Sequence, residues 1–351
     1  MAVKWMSGFE SGLTSLTATG TGVTQSVATD QHTSKSAYSL KLVTTSGPFT
    51  LALPSFSASA STDEILFQFA IRSDQAPITS AIVLAGVDIG AGTSFTNVVM
   101  NTDGSLSVIT SAGSTSTSGT TRVGPSAGGL FPANTWKVVS VRIKPSTTTS
   151  GIIQVAVDGS LVLNNTAVIS AGAAPGTTRQ ITMQRWCNAN GNYWIDDVVI
   201  MDSTSGLGSS GLPEPLRIES ALVPTGDSSV QWTRSTGTSN WSCVDEVPVS
   251  GTDFVSTSTV GQRDVYDLAD RPVGNTTTIY AVQAEAWALN TDGGAPSMKL
   301  GLKSSASESQ VTAGLSASAG RVVNLLELDP NGSVAWTSTS VNALQATLEA
   351  A

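Results

Sequence analysis

Apolar and polar residues alternate over short stretches along nearly the whole chain, and each stretch is closed by Gly, Pro, Asn, Asp or Ser. In Trp136-Lys137-Val138-Val139-Ser140-Val141-Arg142-Ile143, one face carries Lys137, Val139, Val141 and Ile143, and the other carries Trp136, Val138, Ser140 and Arg142. Strand side chains point alternately to two faces, so this pattern puts one face on a core and one toward solvent or a neighbour. Similar runs predict strands at Ala37–Val43, Ile65–Arg72, Ala81–Val87, Thr96–Asn101, Ser105–Thr110, Ile152–Val157, Leu161–Asn164, Gln180–Arg185 and Tyr193–Met201. Further on they recur at Leu216–Leu222, Val230–Thr233, Asn240–Val244, Asp264–Leu268, Thr278–Leu289, Met298–Lys303 and Arg321–Leu328. Asp103-Gly104 and Asp158-Gly159 each separate two such runs, and Asp-Gly supplies the positive φ angles that tight hairpin turns require. Near the C-terminal end, Val341, Leu344 and Leu348 are spaced as on a helix, so that segment reads either as a short helix or as a last strand. The pattern predicts an all-β, antiparallel protein.

Residues 203–215 lack periodicity and concentrate Gly, Ser and Pro, which marks a linker. It separates an N-terminal sandwich, residues 1–202, from a second, smaller β-sandwich, residues 216–351. No tandem repeat of fixed period is present. The low-complexity run Ser111–Thr121 predicts a long mobile loop after a hairpin.

Composition narrows the partners. Only 12% of the 351 residues are charged, about half the usual ~25%, so solubility rests on hydroxyls and backbone. Such surfaces suit packing against other subunits, where each buried charge would need a partner, and a homo-oligomer is expected. Seventeen basic residues, scattered among 26 acidic ones, give a net charge of -9; without a basic face, nucleic acid is not an expected partner. Cys187 and Cys243 lie on opposite sides of the linker and read as small buried hydrophobes rather than a disulfide framework. The first residues lack a secretory leader, and no apolar run approaches the ~20 residues of a membrane span, so neither export by that route nor membrane insertion is expected. The Asn-x-Ser/Thr triplets at Asn164, Asn240, Asn275 and Asn331 are what chance gives in a chain this rich in Ser and Thr.

Candidate chemistry is sparse. Hydrolysis of a glycoside needs two carboxylates at a set separation, whereas Asp196 and Asp197 are adjacent and in a regular strand point to opposite faces. A single histidine, His32, rules out most nucleophile–base schemes and, with two distant cysteines, tetrahedral zinc. The glycine-rich Gly124-Pro125-Ser126-Ala127-Gly128-Gly129 lacks the Lys-Ser/Thr ending of a phosphate cradle. The expectation is therefore a protein without catalytic residues or cofactor, not an enzyme. Two binding options stay open: Asp196, Asp197 and Asp202 as oxygen ligands for calcium, and Trp186, Tyr193 and Trp194 as stacking surfaces for sugar rings. Trp232, Trp241, Trp287 and Trp336 read as core or interface anchors.

Gly8-Phe9-Glu10, Ser36-Ala37-Tyr38-Ser39-Leu40-Lys41-Leu42, Trp136-Lys137-Val138-Val139, Val157-Asp158-Gly159 and Tyr193-Trp194-Ile195-Asp196-Asp197-Val198-Val199-Ile200 occur in an order that resembles the concanavalin-A-like, laminin-G-like jelly roll. The second half is similar to a module that follows such jelly rolls in tailed-phage virion proteins. Its matching residues are Gln231-Trp232-Thr233, Cys243-Val244-Asp245-Glu246, Asp253 to Gln262, Asp329-Pro330-Asn331-Gly332, Trp336-Thr337 and Val341-Asn342-Ala343-Leu344. The resemblance implies a structural component of a bacteriophage particle, located on the virion and made in the bacterial cytoplasm. It would be tail- or fibre-associated, with other virion proteins as partners. A capsid decoration protein and a lectin-like module recognising host polysaccharide are the alternatives it leaves open.

Overall fold

The computed structural model describes residues 3–12, 16–33, 36–45, 49–75, 81–89, 92, 94–184, 191–203, 211–212, 214–219, 222–271, 277–292 and 296–351. They gather into two compact units, one of residues 1–9 with 16–220, the other of residues 10–15 with 221–351.

The first unit is built from β1 (Val3–Ser7), β2 (Ala18–Gly20), β3 (Val23–Ala28), β4 (Ser39–Thr44), β5 (Phe49–Ala52), β6 (Phe56–Ser57), β7 (Ile65–Ser73), β8 (Ile82–Asp88), β9 (Phe95–Met100), β10 (Leu106–Ser111), β11 (Thr120–Val123), β12 (Lys137–Lys144), β13 (Gly151–Val157), β14 (Ser160–Val168), β15 (Thr178–Gln184) and β16 (Asn192–Asp202). They form two eight-stranded antiparallel sheets. The first runs β14-β13-β12-β7-β16-β4-β3 with β1 also on β16, and the second β11-β10-β9-β8-β15-β5-β2 with β6 also on β15. This is a jelly-roll sandwich. Its interior is the apolar face of both sheets, with Phe67, Phe69, Val139, Val141 and Ile143 from the first and Phe49, Leu51, Val87, Val98, Met100, Val108, Ile181 and Met183 from the second, all buried. Alternation along β12 thus puts the predicted face, Val139, Val141 and Ile143, on the core.

Both predicted hairpins form. Asp103-Gly104 joins β9 to β10, where the Asp103 carboxylate accepts from Ser105 N at 2.9 Å. Asp158-Gly159 joins β13 to β14 with positive φ at both residues, +51° and +79°, the conformation a two-residue turn of the favoured hand demands. Arg185, the last residue of one predicted strand, lies outside the described residues.

The second unit contains β17 (Pro224–Ser229), β18 (Thr233–Arg234), β19 (Val255–Ser256), β20 (Arg263–Leu268), β21 (Val282–Ala288), β22 (Ser297–Ser304), β23 (Ser307–Gly314), β24 (Gly320–Leu326), α1 (Ser338–Asn342) and β25 (Leu344–Ala350). A five-stranded sheet, β17-β20-β25-β22-β23, packs through Tyr266, Met298, Leu300 and Leu348 against Val322 of the β21–β24 ribbon. The C-terminal segment is both of the predicted alternatives in succession, a capped helical turn and then a strand. Three predicted strands are corrected: residues 216–219 lie outside any sheet, Val230–Thr233 is strand only at Thr233, and Asn240–Val244 is a 3₁₀ turn around Trp241–Cys243.

Asp227 accepts from Asn240 N at 3.0 Å and Trp241 N at 2.8 Å at the start of that turn, and a second, buried carboxylate ties the turn to the chain beside it. Asp264 Oδ1 accepts from Gln231 N at 2.6 Å and Trp232 N at 2.9 Å, and Oδ2 accepts from Asn240 Nδ2 at 2.7 Å and the Tyr266 hydroxyl at 2.8 Å. Burial and the Asp264 charge push the Tyr266 phenol pKa up, so this tyrosine stays a donor. Replacing Asp264 with Ala strands four donors, and we expect Asp264→Ala to lose about 3 kcal/mol or more in urea unfolding. Val260→Ser, at an exposed site, should shift stability by no more than about 0.5 kcal/mol.

Candidate functional site

The outer face of the first sheet is closed by the protein's own chain. Every residue of β16 after Asn192 is buried, and so is every residue of β7 except Arg72, which requires a cover on both sides. Part of that cover is irregular backbone, whose polar groups need partners once water is excluded. Gln68, on β7, provides two: Oε1 accepts from Leu216 N at 2.7 Å and Nε2 donates to Leu216 O at 2.9 Å. Asp196 Oδ2 accepts from Thr33 N at 2.9 Å, and Asp197 Oδ1 accepts from Ile218 N at 2.7 Å. Residues 211 and 215 lie on the same sheet, against Arg142 and Gly159.

The two aspartates do not follow strand alternation. The register of β16 on β7 slips between Asp196 and Val199, and Asp197 has a φ of +49°, so a β-bulge re-aims the second carboxylate. Thr33 neighbours both: its amide binds Asp196, and its side chain favours the Asp197 anion. Burial is nevertheless the largest influence on Asp197 and raises its pKa above the ordinary 3.8, against the Ile218 amide, Thr33 and Arg217.

These contacts engage all three calcium candidates. Asp196 and Asp197 hold backbone amides, and Asp202 pairs with Lys4 at 2.7 Å. Among the described residues no three His, Cys, Asp or Glu side chains are placed to hold a metal ion. The sugar-stacking candidates fare differently from one another. Trp186 lies outside the described residues, as does Cys187. Tyr193 is fully buried and meets Phe49 edge-on at 5.5 Å. Trp194 is 5% exposed, has Lys41 and Arg72 over its ring at 5.1 and 5.3 Å, and donates from Nε1 to Asp30 at 3.2 Å. Neither described ring presents a free face to a sugar. His32 is exposed, with Nδ1 2.8 Å from Thr33 O. Cys243 is a free, buried thiol that donates to Thr236 O.

The second sheet is different. Its outer face consists of cross-strand rows that the core does not use: Thr19–Thr50–Gln184, then Ala52–Thr182–Gly86–Asn97–Ile109–Thr121, then Gln180–Asp88–Phe95–Ser111. Amides and hydroxyls dominate, and Asp88 is the single charge in these rows. Over β2, β5 and β15 the face is open, with Thr19 and Ala52 exposed and Thr50, Gln180 and Gln184 half-buried. Over β8 to β10 it is covered, and Val83, Val99 and Ile109 form a small apolar cluster there.

Part of the cover is the Ser111–Thr121 run. It forms a strap that lies on the sheet and ends in β11. Asn97 Nδ2 donates to Ser111 Oγ at 3.0 Å, Gly113 O at 2.9 Å and Ser116 O at 2.8 Å. Gly86 makes room for it, because a Cβ there would collide with the Ser114 carbonyl. Asn97 and Gly86 were not singled out in the sequence. The available signal was an isolated glycine inside an otherwise apolar strand, which marks close approach of another backbone.

No protein-family model matches this sequence, and neither does any curated protein. Solved structures similar to it include endo-β-1,4-glucuronan lyase from the fungus Trichoderma reesei, with 14% identity and a TM-score of 0.41 over 57% of this chain and 90% of that one. Alginate lyase vAL-1 from Chlorella virus is similar at 10% identity and a TM-score of 0.34, over 52% and 91%. The receptor binding domain of botulinum neurotoxin C/D mosaic serotype is similar at 12% identity and a TM-score of 0.33, over 51% and 42%. Likeness at these identities concerns the fold alone. The expectation that the chain is not an enzyme is corrected on this finding: the structures similar in fold include polysaccharide lyases. The paired carboxylates sought in the sequence belong to hydrolysis, whereas elimination calls for a base that removes a proton from carbon.

Asp197 yields a pH test. A carboxyl whose folded-state pKa is raised contributes stability that is fully present below its unfolded value and is lost as pH rises through the folded value. The unfolding free energy of the wild type should therefore fall relative to Asp197→Asn as pH rises above the ordinary carboxyl pKa of 3.8 and through the raised folded-state value. Parallel profiles in guanidinium unfolding would mean that Asp197 keeps an ordinary pKa.

Proposed function

We propose that the first unit contacts carbohydrate through the outer face of its second sheet. The observation that carries this reading is the composition of that face: Thr19, Thr50, Gln180 and Gln184, exposed or half-buried, stand on three adjacent strands. Side-chain amides and hydroxyls both donate and accept, which matches the hydroxyls of a sugar. The first sheet offers no such surface at β7 and β16, where segments of the same chain lie over it. A polysaccharide is an extended ligand, and rows that cross several strands suit its length.

Affinity electrophoresis through gels containing neutral or acidic polysaccharides tests the reading. Retardation is expected for the wild type, with Gln184→Ala weakening it by about fivefold, the worth of one hydrogen bond. Unretarded migration in every gel would refute it.

A second reading, assembly into a larger particle, is favoured by a separate observation. Among the described residues the large exposed hydrophobics are Leu161 in the first unit and Val230, Val249, Phe254, Val260, Tyr280, Leu289, Leu328 and Val334 in the second. That bias gives the second unit the surface of a module that docks on protein, which is the role implied by its resemblance to tailed-phage virion modules. Sedimentation velocity should show self-association that Leu328→Ser with Val334→Ser weakens. A wild type that sediments as a monomer at all concentrations would exclude self-association.

A further inference from the structure

We propose that Asn97 is the centre of a sugar site occupied in the free protein by the Ser111–Gly119 strap, and that its ligand is a neutral glycan with vicinal hydroxyls. The inference rests on the reading that this face takes carbohydrate.

Asn97 is wholly buried on β9. Its Nδ2 faces three acceptors of the strap, one more than its two hydrogens can serve singly. Its Oδ1 is buried without a hydrogen-bond partner among the described residues. That oxygen lies over the backbone of Gly86, 3.0 Å from where a Cβ would stand. An amide with one over-subscribed donor group and one unserved acceptor is poorly matched to its present cover. Two adjacent hydroxyls of a sugar ring match it better, one accepting from Nδ2 and the other donating to Oδ1.

The strap has the chemistry of a stand-in. Ala112-Gly113-Ser114-Thr115-Ser116-Thr117-Ser118-Gly119 carries hydroxyls and no large apolar side chain, so it meets the sheet with oxygen atoms, as a glycan would. It leaves the sheet at the end of β10 and rejoins it at β11, and lifting it leaves the β10–β11 ladder, Val108 to Thr110 on Val123 to Thr120, in place. The rows beside the site hold amides, hydroxyls and one carboxylate, Asp88, whose oxygens accept from Gly92 N at 2.9 and 3.2 Å. With no cation among these row residues, a neutral sugar fits better than a uronate.

Two substitutions free the strap by different means. Gly86→Ala puts a methyl group where the Ser114 carbonyl lies and 3.0 Å from Asn97 Oδ1, so it reports release of the strap, whereas replacing residues 113–118 by Gly-Gly removes the strap's carbonyls, leaves that oxygen clear and reports affinity. Asn97→Ala removes the anchor and the proposed sugar contact together. Hydrogen exchange of residues 112–119 reports release, and calorimetric titration with maltohexaose, cellohexaose and mannohexaose reports binding.

Both point variants should exchange faster in the strap. The Gly-Gly variant should bind at least one hexasaccharide about tenfold more tightly than the wild type, since the covered state no longer lowers apparent affinity, and Asn97→Ala should bind none. If the affinity of the Gly-Gly variant stays equal or falls, the strap proposal is overturned, and wild-type binding that Gln184→Ala weakens would leave the carbohydrate reading standing. If neither the wild type nor the Gly-Gly variant binds any polysaccharide, both fall.

Discussion

A backbone that leaves regular structure inside a protein must still find a partner for each N–H and C=O, and in the first unit three buried side chains meet that demand. Gln68 takes both polar groups of Leu216, Asp196 takes the Thr33 amide and Asp197 takes the Ile218 amide. All three stand on β7 and β16, the central strands of the first sheet. Their effect is that strands apolar on the inside can be buried on the outside as well. The bulge at Asp196 to Val199 is part of this arrangement, since regular alternation would aim only one of the two carboxylates at the covering chain.

The second sheet is covered on weaker terms. Charged acceptors make stronger hydrogen bonds than neutral ones, and the strap over β8 to β10 has a neutral amide as its anchor and contributes no bulky apolar group. The two outer faces therefore differ: one is closed by two buried carboxylates together with the Gln68 amide, the other by a polar segment that the sheet could exchange for another polar chain. This asymmetry, more than any single residue, directs the functional reading toward the second sheet.

Much of the fold was legible because it depends on local signals. Asp158-Gly159 forces a turn wherever it occurs between two strands, and Val139, Val141 and Ile143 alternate onto the core. Strands such as β3, Val-Thr-Gln-Ser-Val-Ala, and β23, Ser-Glu-Ser-Gln-Val-Thr-Ala-Gly, were not legible. They carry few apolar residues, and their partners β4 and β22 impose the extended conformation. The same limit applied to function. Aromatic residues were the natural sugar candidates, yet Trp194 lies beneath Lys41 and Arg72, a placement set by residues distant in sequence. Adjacent aspartates looked incompatible until a bulge, invisible in composition, brought both next to Thr33. Asn97 acquires its character only from a strap that returns to it after 14 to 19 residues.

The position of β25 governs the order in which the second unit can form. Residues 344–350 sit between β20 and β22, so the middle of the five-stranded sheet is its last segment in sequence. The β22–β23 hairpin can form early, but β20 has to wait for a strand about 80 residues downstream before the sheet closes. Contacts of such long range make folding slow. Until they form, the apolar faces of both halves stay open to other chains, and a growing chain would carry that exposure until its final strand arrives.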